Sequence, residues 1–576
     1  MRSYRYVLCR LLIFDIARLI YSVLNGNVRI HIIQPLYKNP TPPPLPRDII
    51  SPHSSSGPTS SQIDGPSKVQ KIAFTVKRVR KKLGKISSSA SEPLPVGVVR
   101  RATPIDTLPD GVLLQIFNFC GVDYREKHRT LQFYPILKWH RLIHVCRRWR
   151  QIIFSWPHLL DLYILCVQGS PLQKNIWPAF PIIIHYPHGY AERPRISSSD
   201  EDNIIAALAY PDRVCSLKLP VTNSLLGKLA MVASAQEPFL ILTQLWLASE
   251  DGSVSVLPSG FLGGSAPRLR EVHLEGIPFP TLPTFISSAS NLMSLSLVGI
   301  PHAGYFSPEA IITSLATLAR LNFLLIKFQS STSHPNRSNS GRRVALQTRV
   351  VLPTLTVFGF QGASEYLEDL VAPIEAPRIM DMRITYLDQL IFQVPQLSRF
   401  VSRIRIINHS RTICARINFH PSRVDMDLYP GPARNVPSFF YLEISCQRLD
   451  WQVSHIAEAL SQSSAVLSNV RHLFIRSWYL KPNWRDDMDH IKWLTLLRRF
   501  TYVENLHIVH RLAGHVADAL NDVTTELAPE ILPALCLLDF VDEPAVHVEE
   551  FNTVRQLSGL PLVTITHTSD LLFPPR

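Results

Sequence analysis

One pattern, apolar-x-x-apolar-x-apolar, recurs along most of this chain and limits its fold more than any other feature. It appears at Val214, Leu217 and Leu219; Leu242, Leu245 and Leu247; Leu269, Val272 and Leu274; and Leu292, Leu295 and Leu297. It continues at Leu318, Leu321 and Phe323; Leu355, Phe358 and Phe360; and Ile379, Met382 and Ile384. It returns at Phe439, Leu442 and Ile444; Val470, Leu473 and Ile475; Val503, Leu506 and Ile508; and Leu535, Leu538 and Phe540. The last two apolar positions alternate as a strand with one buried face requires, and the first turns the chain into that strand.

The early copies stand roughly 23 to 28 residues apart, the period of a leucine-rich repeat, and the later ones roughly 31 to 33. Helical spacing fills the intervals at Asp202 to Tyr210, Ser224 to Ser234, Pro308 to Ala319, Ala363 to Val371, Ser454 to Leu460, Ile491 to Phe500 and His515 to Asn521. A strand and a helix, repeated, stack into a solenoid in which no single repeat folds alone. Two stretches break the rhythm. Gln329 to Leu346 is rich in Ser, Asn and Arg and reads as an insertion, whereas Ser402 to Leu428 holds close alternating runs that suit plain antiparallel strands or a distorted repeat. Asp161 to Ser199 carries apolar runs among prolines and is expected to close the start of the array.

If the paired apolar residues face the core, their neighbours face the other side of the sheet. That face would carry Gln244, Trp246, Glu271, His273, Arg320, Asn322, Asp381, Arg383, Tyr441, Glu443, His472, Phe474, Asn505 and His507. Large aromatics on an open sheet, here Trp246, Tyr441 and Phe474, either favour contact with a partner or are covered by the Gln329 insertion or by irregular segments of the chain. Trp246, His273, Arg320, Arg383, Tyr441 and Phe474 are therefore the candidates for binding a target protein.

Upstream lies a denser unit. Pro109 suits the first turn of a helix in which Leu113, Ile116, Phe117 and Cys120 recur at helical spacing. A second helix is expected over Trp139 to Phe154, with Leu142, Val145, Cys146, Trp149, Ile152 and Ile153 on one side and Arg147, Arg148 and Arg150 mostly on the other. Two such helices expose more apolar surface than a unit of about fifty residues can bury alone.

The succession Leu108-Pro109, then Leu113-Leu114-x-Ile116-Phe117, then Leu142-Ile-x-Val145-Cys146-Arg-Arg-Trp149-Arg, then Pro157-His158-Leu159 resembles the F-box, with a longer loop, Gly121 to Lys138, between its helices. That resemblance implies docking on the Skp-type adaptor of a cullin-RING ubiquitin ligase, through Leu108, Pro109, Leu113, Leu114, Ile116, Phe117, Leu142, Val145, Cys146 and Trp149. Phe261 to Arg268, Gly362 to Ile374 and Ile444 to Trp451 look like a large F-box family of mushroom-forming fungi, and the likeness runs from about Pro104 to near the C-terminus. The family largely lacks assigned substrates, so it implies an architecture more than a target.

The expected fold is thus α/β: a short all-α F-box-like helical domain over 104–166, then an irregular leucine-rich-repeat solenoid over 167–576. Residues 1–103 read as a disordered tail, because the Pro- and Ser-rich stretch from Lys38 has little apolar side chain to offset the entropy of ordering. The apolar run Tyr6 to Leu24 is interrupted by Arg10, Asp15 and Arg18, so no membrane segment is expected. Lys77 to Lys85 is a basic cluster of the kind import receptors read, which leaves both cytoplasmic and nuclear locations open.

Net charge of +14 permits nucleic-acid binding, yet the basic residues are scattered and no nucleic-acid module appears, so solvated surface is the expectation. Eight cysteines include no Cys-x-x-Cys pair, which points to a reducing compartment without a disulfide framework. Gly260 to Ser265 lacks the following Lys-Ser of a phosphate loop and reads as a turn. Asp486, Asp487, Asp489 and His490 precede a helix and read as charge favoured by its dipole, while His140 and His144 lack a third ligand. No catalytic residue, metal, cofactor or small-molecule substrate is therefore expected. The expected function is a non-enzymatic receptor that joins adaptor and cullin to an unknown protein substrate. Rival readings are a repeat scaffold without a ligase role and a basic anion or nucleic-acid binder, the latter to be told by steep loss of binding with salt.

Overall fold

The computed structural model describes residues 108–117, 142, 145–156, 163–168, 180–186, 196–234, 237–251, 255–330, 349–387, 392, 394–404, 412–431, 438–446, 448–461, 467–477, 490–509, 512–541 and 548–568. The N-terminal tail, its basic cluster, most of the 329–346 insertion and the acidic run 486–489 lie outside these residues. The chain divides into two compact units, Met1–Asp161 and Leu162–Arg576.

In the first unit a helix over 110–117 buries Leu113, Ile116 and Phe117, while Leu142, Trp149, Ile152 and Ile153 are buried from the second segment. Phe117 meets Trp149 with ring centroids 4.9 Å apart at 58°. Arg148 reaches back across the pair to Asp110 Oδ1 at 2.6 Å and to the Leu108 carbonyl at 2.5 Å. The single helix expected over Trp139 to Phe154 is not continuous. Cys146 takes an extended conformation and caps a separate helix, Arg147–Ser155, its sulfur accepting from the Trp149 amide at 3.4 Å. Val145, placed with the apolar stripe by the helical reading, lies instead in the turn before that cap and is 47% exposed.

The second unit is mixed α/β. Its strands in chain order are β1 (Ile164–Cys166), β2 (Ile182–His185), β3 (Val214–Val221), β4 (Gln244–Ser249), β5 (Glu271–Glu275) and β6 (Ser294–Ile300). There follow β7 (Phe323–Phe328), β8 (Val350–Val351), β9 (Val357–Gly362), β10 (Ile374–Glu375), β11 (Asp381–Tyr386) and β12 (Ile413–His420). The series ends with β13 (Arg423–Pro430), β14 (Phe440–Ser445), β15 (Val470–Ser477), β16 (Asn505–Val509), β17 (Leu537–Val541) and β18 (Thr564–Thr568).

Sixteen of these form one sheet in the order β1-β2-β3-β4-β5-β6-β7-β9-β11-β14-β13-β12-β15-β16-β17-β18, and β8 pairs with β10 apart from it. Every neighbouring pair in the large sheet is parallel except β12 with β13 and β13 with β14. The close alternating runs between 402 and 428 thus include an antiparallel hairpin. β1 belongs to this sheet, so the division between the units falls ahead of the 166/167 boundary expected from sequence.

Paired apolar residues stack strand on strand, as Leu245, Val272 and Leu295 do, and together with the helices they form one continuous core. The helices follow local signals. Ser197 and Asp200 make a reciprocal capping box ahead of Ser198–Leu208, and Ser307 caps Pro308–Leu315 with Pro308 in the first turn. The turn over Phe261–Gly264 holds Gly263 at φ +69° against Pro238, where a Cβ would stand 2.6 Å from the proline nitrogen. Glu368, buried on helix Ser364–Val371, accepts from the amides of Gln396 and Leu397 at 2.8 Å each and so caps helix Pro395–Ser402. Helices Leu282–Ser287, Pro395–Ser402 and Glu549–Leu557 add to those expected.

One register differs from the sequence reading. The buried, paired residues of β7 are Leu324 and Ile326, set against Leu295 and Leu297, so the pattern there runs Leu321, Leu324 and Ile326. Arg320 and Asn322 accordingly precede the strand and are not on the open sheet face.

Candidate functional site

The open face of the large sheet holds most of the expected target-binding residues in one row. Across adjacent strands Trp246 pairs with His273 and His273 with Ser296; further along Arg383 pairs with Tyr441, Tyr441 with Asp427, Asp427 with Arg416, Arg416 with Phe474, Phe474 with His507 and His507 with Asp539. The alternation of each strand alone fixes which side chains can join this row.

Two places in it repeat one arrangement. Trp246 stacks on His273 with centroids 5.3 Å apart at 7°, and His273 Nδ1 lies 3.0 Å from Ser296 Oγ. Phe474 stacks on His507 at 4.6 Å and 9°, and His507 Nδ1 lies 3.1 Å from Asp539 Oδ2. Asp539 is buried and also accepts from Thr566 at 2.7 Å and Thr568 at 2.9 Å. In each case an aromatic ring, an imidazole and a polar group sit on three successive strands. Burial, helped by the neighbouring His507, pushes the His472 imidazole below its usual range, so it stays neutral near pH 7.

Between these two places the face is charged. Arg383 binds Asp381 of its own strand at 3.0 Å. Tyr441 donates to Glu443 at 2.6 Å, and burial together with that bond pushes its phenol well above the usual range. Asp425, buried on β13, accepts from Asn418 Nδ2 at 2.6 Å and faces His420 Nε2 at 2.6 Å, with Arg423 4.0 Å from it and 3.6 Å from Glu443. Among the described residues no group of three or more His, Cys, Asp or Glu is placed to hold a metal ion.

Of the six expected target residues the row thus unites Trp246, His273, Arg383, Tyr441 and Phe474, and leaves out Arg320. Phe474 needs a further correction: it is only 7% exposed, covered in a small apolar cluster with Cys414 and Tyr429. The covering residues come from the antiparallel hairpin, whose strands were the hardest to register from sequence. Sequence reasoning also missed Arg416, Asn418 and Asp425, although Arg416-Ile417-Asn418-Phe419-His420 and Val424-Asp425-Met426-Asp427-Leu428 alternate cleanly enough to have placed them on the open face.

Trp246 and Phe474 therefore respond differently to substitution. Trp246→Ser removes one half-buried stack and is expected to cost about 1 kcal/mol or less. Phe474→Ser opens a covered cluster and is expected to cost about 2 to 3 kcal/mol. Thermal midpoints of the two variants check this, and equal midpoints would refute it.

In the first unit the ten expected adaptor residues divide by burial. Leu113, Ile116, Phe117, Leu142 and Trp149 are buried; Leu108, Leu114 and Cys146 are half-buried; Pro109 and Val145 are exposed. Trp156, just past helix Arg147–Ser155, is exposed as well. No helix among the described residues is long and apolar enough to cross a membrane. No protein-family model and no curated protein matches the chain.

Proposed function

We propose that this chain is the substrate-receptor subunit of an SCF-type cullin-RING ubiquitin ligase, with the helical pair acting as an F-box and the sheet-and-helix array as degenerate leucine-rich repeats. The observation that carries the reading is the Phe117–Trp149 contact, which joins the two segments that resemble the F-box across the long loop separating them. Arg148 ties the same segments through Asp110 and the Leu108 carbonyl. The buried residues make a frame, and Leu108, Pro109, Leu114 and Val145 stand accessible on it as the adaptor contact. Small apolar units with part of that surface uncovered gain stability from a partner.

The array would present a target along the open face, where Trp246 and Tyr441 are only half-buried. Its contribution to ubiquitin transfer is proximity: holding a target lysine near the charged carrier raises effective concentration without bond chemistry of its own. Purification of the full chain from native cells tests the assignment. A Skp-type adaptor and a cullin are expected to accompany it in comparable amounts. Their absence from an otherwise intact preparation would leave the array as a scaffold and remove the ligase role.

A further inference from the structure

Arg320, which the register of β7 takes off the open face, belongs to a different row. β5, β6, β7, β9 and β11 are neighbours in that order, with Glu271, Ser294, Phe323, Val357 and Asp381 in line. Three residues ahead of these, along the rim where the chain enters each strand, stand Arg268, Asn291, Arg320, Thr354 and Arg378. Each precedes a buried residue, Leu269, Leu292, Leu321, Leu355 or Ile379, that anchors its turn in the core. The backbone holds the same register two residues later: the amide of Met293 donates to the carbonyl of Arg270, Asn322 to Met293, Thr356 to Asn322 and Met380 to Thr356, each at 2.8 Å. With strands about 4.8 Å apart, the three arginines of the first row recur about every 10 Å.

The ten residues of these two rows include four arginines and no acid. All four arginines are exposed, and none makes a side-chain hydrogen bond or ion pair among the described residues. At the strand starts Glu271 follows Arg270 directly and Asp381 is held by Arg383 at 3.0 Å, which leaves Arg268, Arg320 and Arg378 uncompensated. Arg320 and Arg378 lie beyond the last turns of helices Pro308–Leu315 and Ser364–Val371, so the helix dipole does not account for them. Among the arginines Met293 and Met380 are exposed, at 47% and 61%.

We propose that this rim binds an acidic, extended segment of a protein partner, whose carboxylates meet Arg268, Arg320 and Arg378 in turn. A guanidinium takes a carboxylate through two parallel bonds, which a lysine ammonium cannot do. In a polyproline-type segment every third side chain lies on one side, about 9.3 Å from the last, close to the spacing of the arginines. The exposed methionines favour a peptide over a phosphodiester chain, since thioethers pack on apolar side chains and offer a phosphate nothing. The inference rests on the receptor reading only for what brings a protein segment to the array, and it names the chemistry of that segment.

Two capped nonapeptides, three repeats of Glu-Pro-Val and three of Gln-Pro-Val, test the proposal on the full chain by calorimetry. The Glu peptide is expected to bind about tenfold more tightly at low salt, through three exposed pairs of modest strength, and about equally once salt screens them. Arg268→Gln, Arg320→Gln and Arg378→Gln together should abolish that preference, and each alone should lower it about twofold, because sites this far apart act independently. Lys228→Gln, which removes an equal charge from a pair with Glu201 in the helical layer, should leave it intact. The arginines are exposed, so thermal midpoints should hold, and if the triple variant fails to fold the single ones carry the comparison. Equal binding of the two peptides at low salt, a preference undiminished in the folded variants, or tighter binding of a nine-nucleotide oligothymidylate than of the Glu peptide would each overturn it. Adaptor co-purification scored on the same preparations separates the two ideas: a Glu preference without adaptor sinks the ligase role and keeps the site, and adaptor without the preference does the reverse.

Discussion

Arg555→Ala is expected to destabilise the C-terminal end of the array by about 3 to 5 kcal/mol, the range for leaving buried polar partners uncompensated. Arg555 on helix Glu549–Leu557 is 0% exposed and has no carboxylate partner among its described contacts. Its guanidinium donates instead to the carbonyls of Pro561 at 3.0 Å, Leu532 at 3.0 Å, Pro533 at 3.3 Å and Leu535 at 3.2 Å, and lies 5.4 Å from the Phe551 ring centroid. Burial lowers its pKa, yet an arginine stays charged, and four oxygens share that charge. The side chain thereby fixes the turns that lead into β17 and β18. Arg555→Lys should recover little, since one ammonium cannot reach carbonyls spread around a planar fork. Because neighbouring repeats support each other only locally, the loss should fall on that end. Hydrogen exchange is the measurement: amides of 537–568 should lose protection while those of 214–300 keep theirs. Unchanged protection at β17 and β18 would remove Arg555 from its holding role.

The second large effect is expected at the helical pair. Trp149→Ala should cost roughly 2 to 4 kcal/mol of adaptor binding or of local folding, as truncation of a buried aromatic anchor does. Adding Phe117→Ala removes the other ring of the contact, so the two losses are coupled and should sum to less than their separate values. The exposed Val145 distinguishes folding from binding, because Val145→Asp alters no packed side chain and should still abolish capture of a Skp-type adaptor. Pull-down of recombinant adaptor by the full chain reads all three. Capture at the unaltered level by the Trp149→Ala, Phe117→Ala variant would show that this unit is not an F-box.

Much of the strand framework was legible because a half-buried strand has only one way to alternate. Ten of the eleven pattern copies read from the sequence set their paired apolar residues in the sheet, and the failure at β7 has a plain cause. Leu318, Leu321 and Phe323 fit the pattern as well as Leu321, Leu324 and Ile326 do, and only pairing with Leu295 and Leu297 decides between them. β1 and β2 were missed as strands because each is short and followed or preceded by proline-rich chain. The break at Cys146 was invisible since cysteine is not a habitual helix cap and the apolar spacing continues through it. Phe474 looked open because the side chains that cover it, Cys414 and Tyr429, lie far away in sequence. Neither helix Glu549–Leu557 nor Arg555 was expected from the sequence, and nothing local announces the four carbonyls that surround that side chain.

The order β11-β14-β13-β12-β15 bears on how the chain is laid down as it is synthesised. Up to β7 each strand of the sheet finds its place beside the one made just before, so the growing edge advances with the ribosome. After β11 that stops. The next strand made, β12, has its final place three positions away, and the vacancy beside β11 is filled only when β14 emerges after the hairpin has turned back. The three strands must therefore arrive as one block, and β15 then has the edge of β12 to join. Vectorial assembly by single strands on either side of this block gives way to a single three-strand step across it, so a pause in synthesis there would leave the edge of β11 waiting for a strand not yet made.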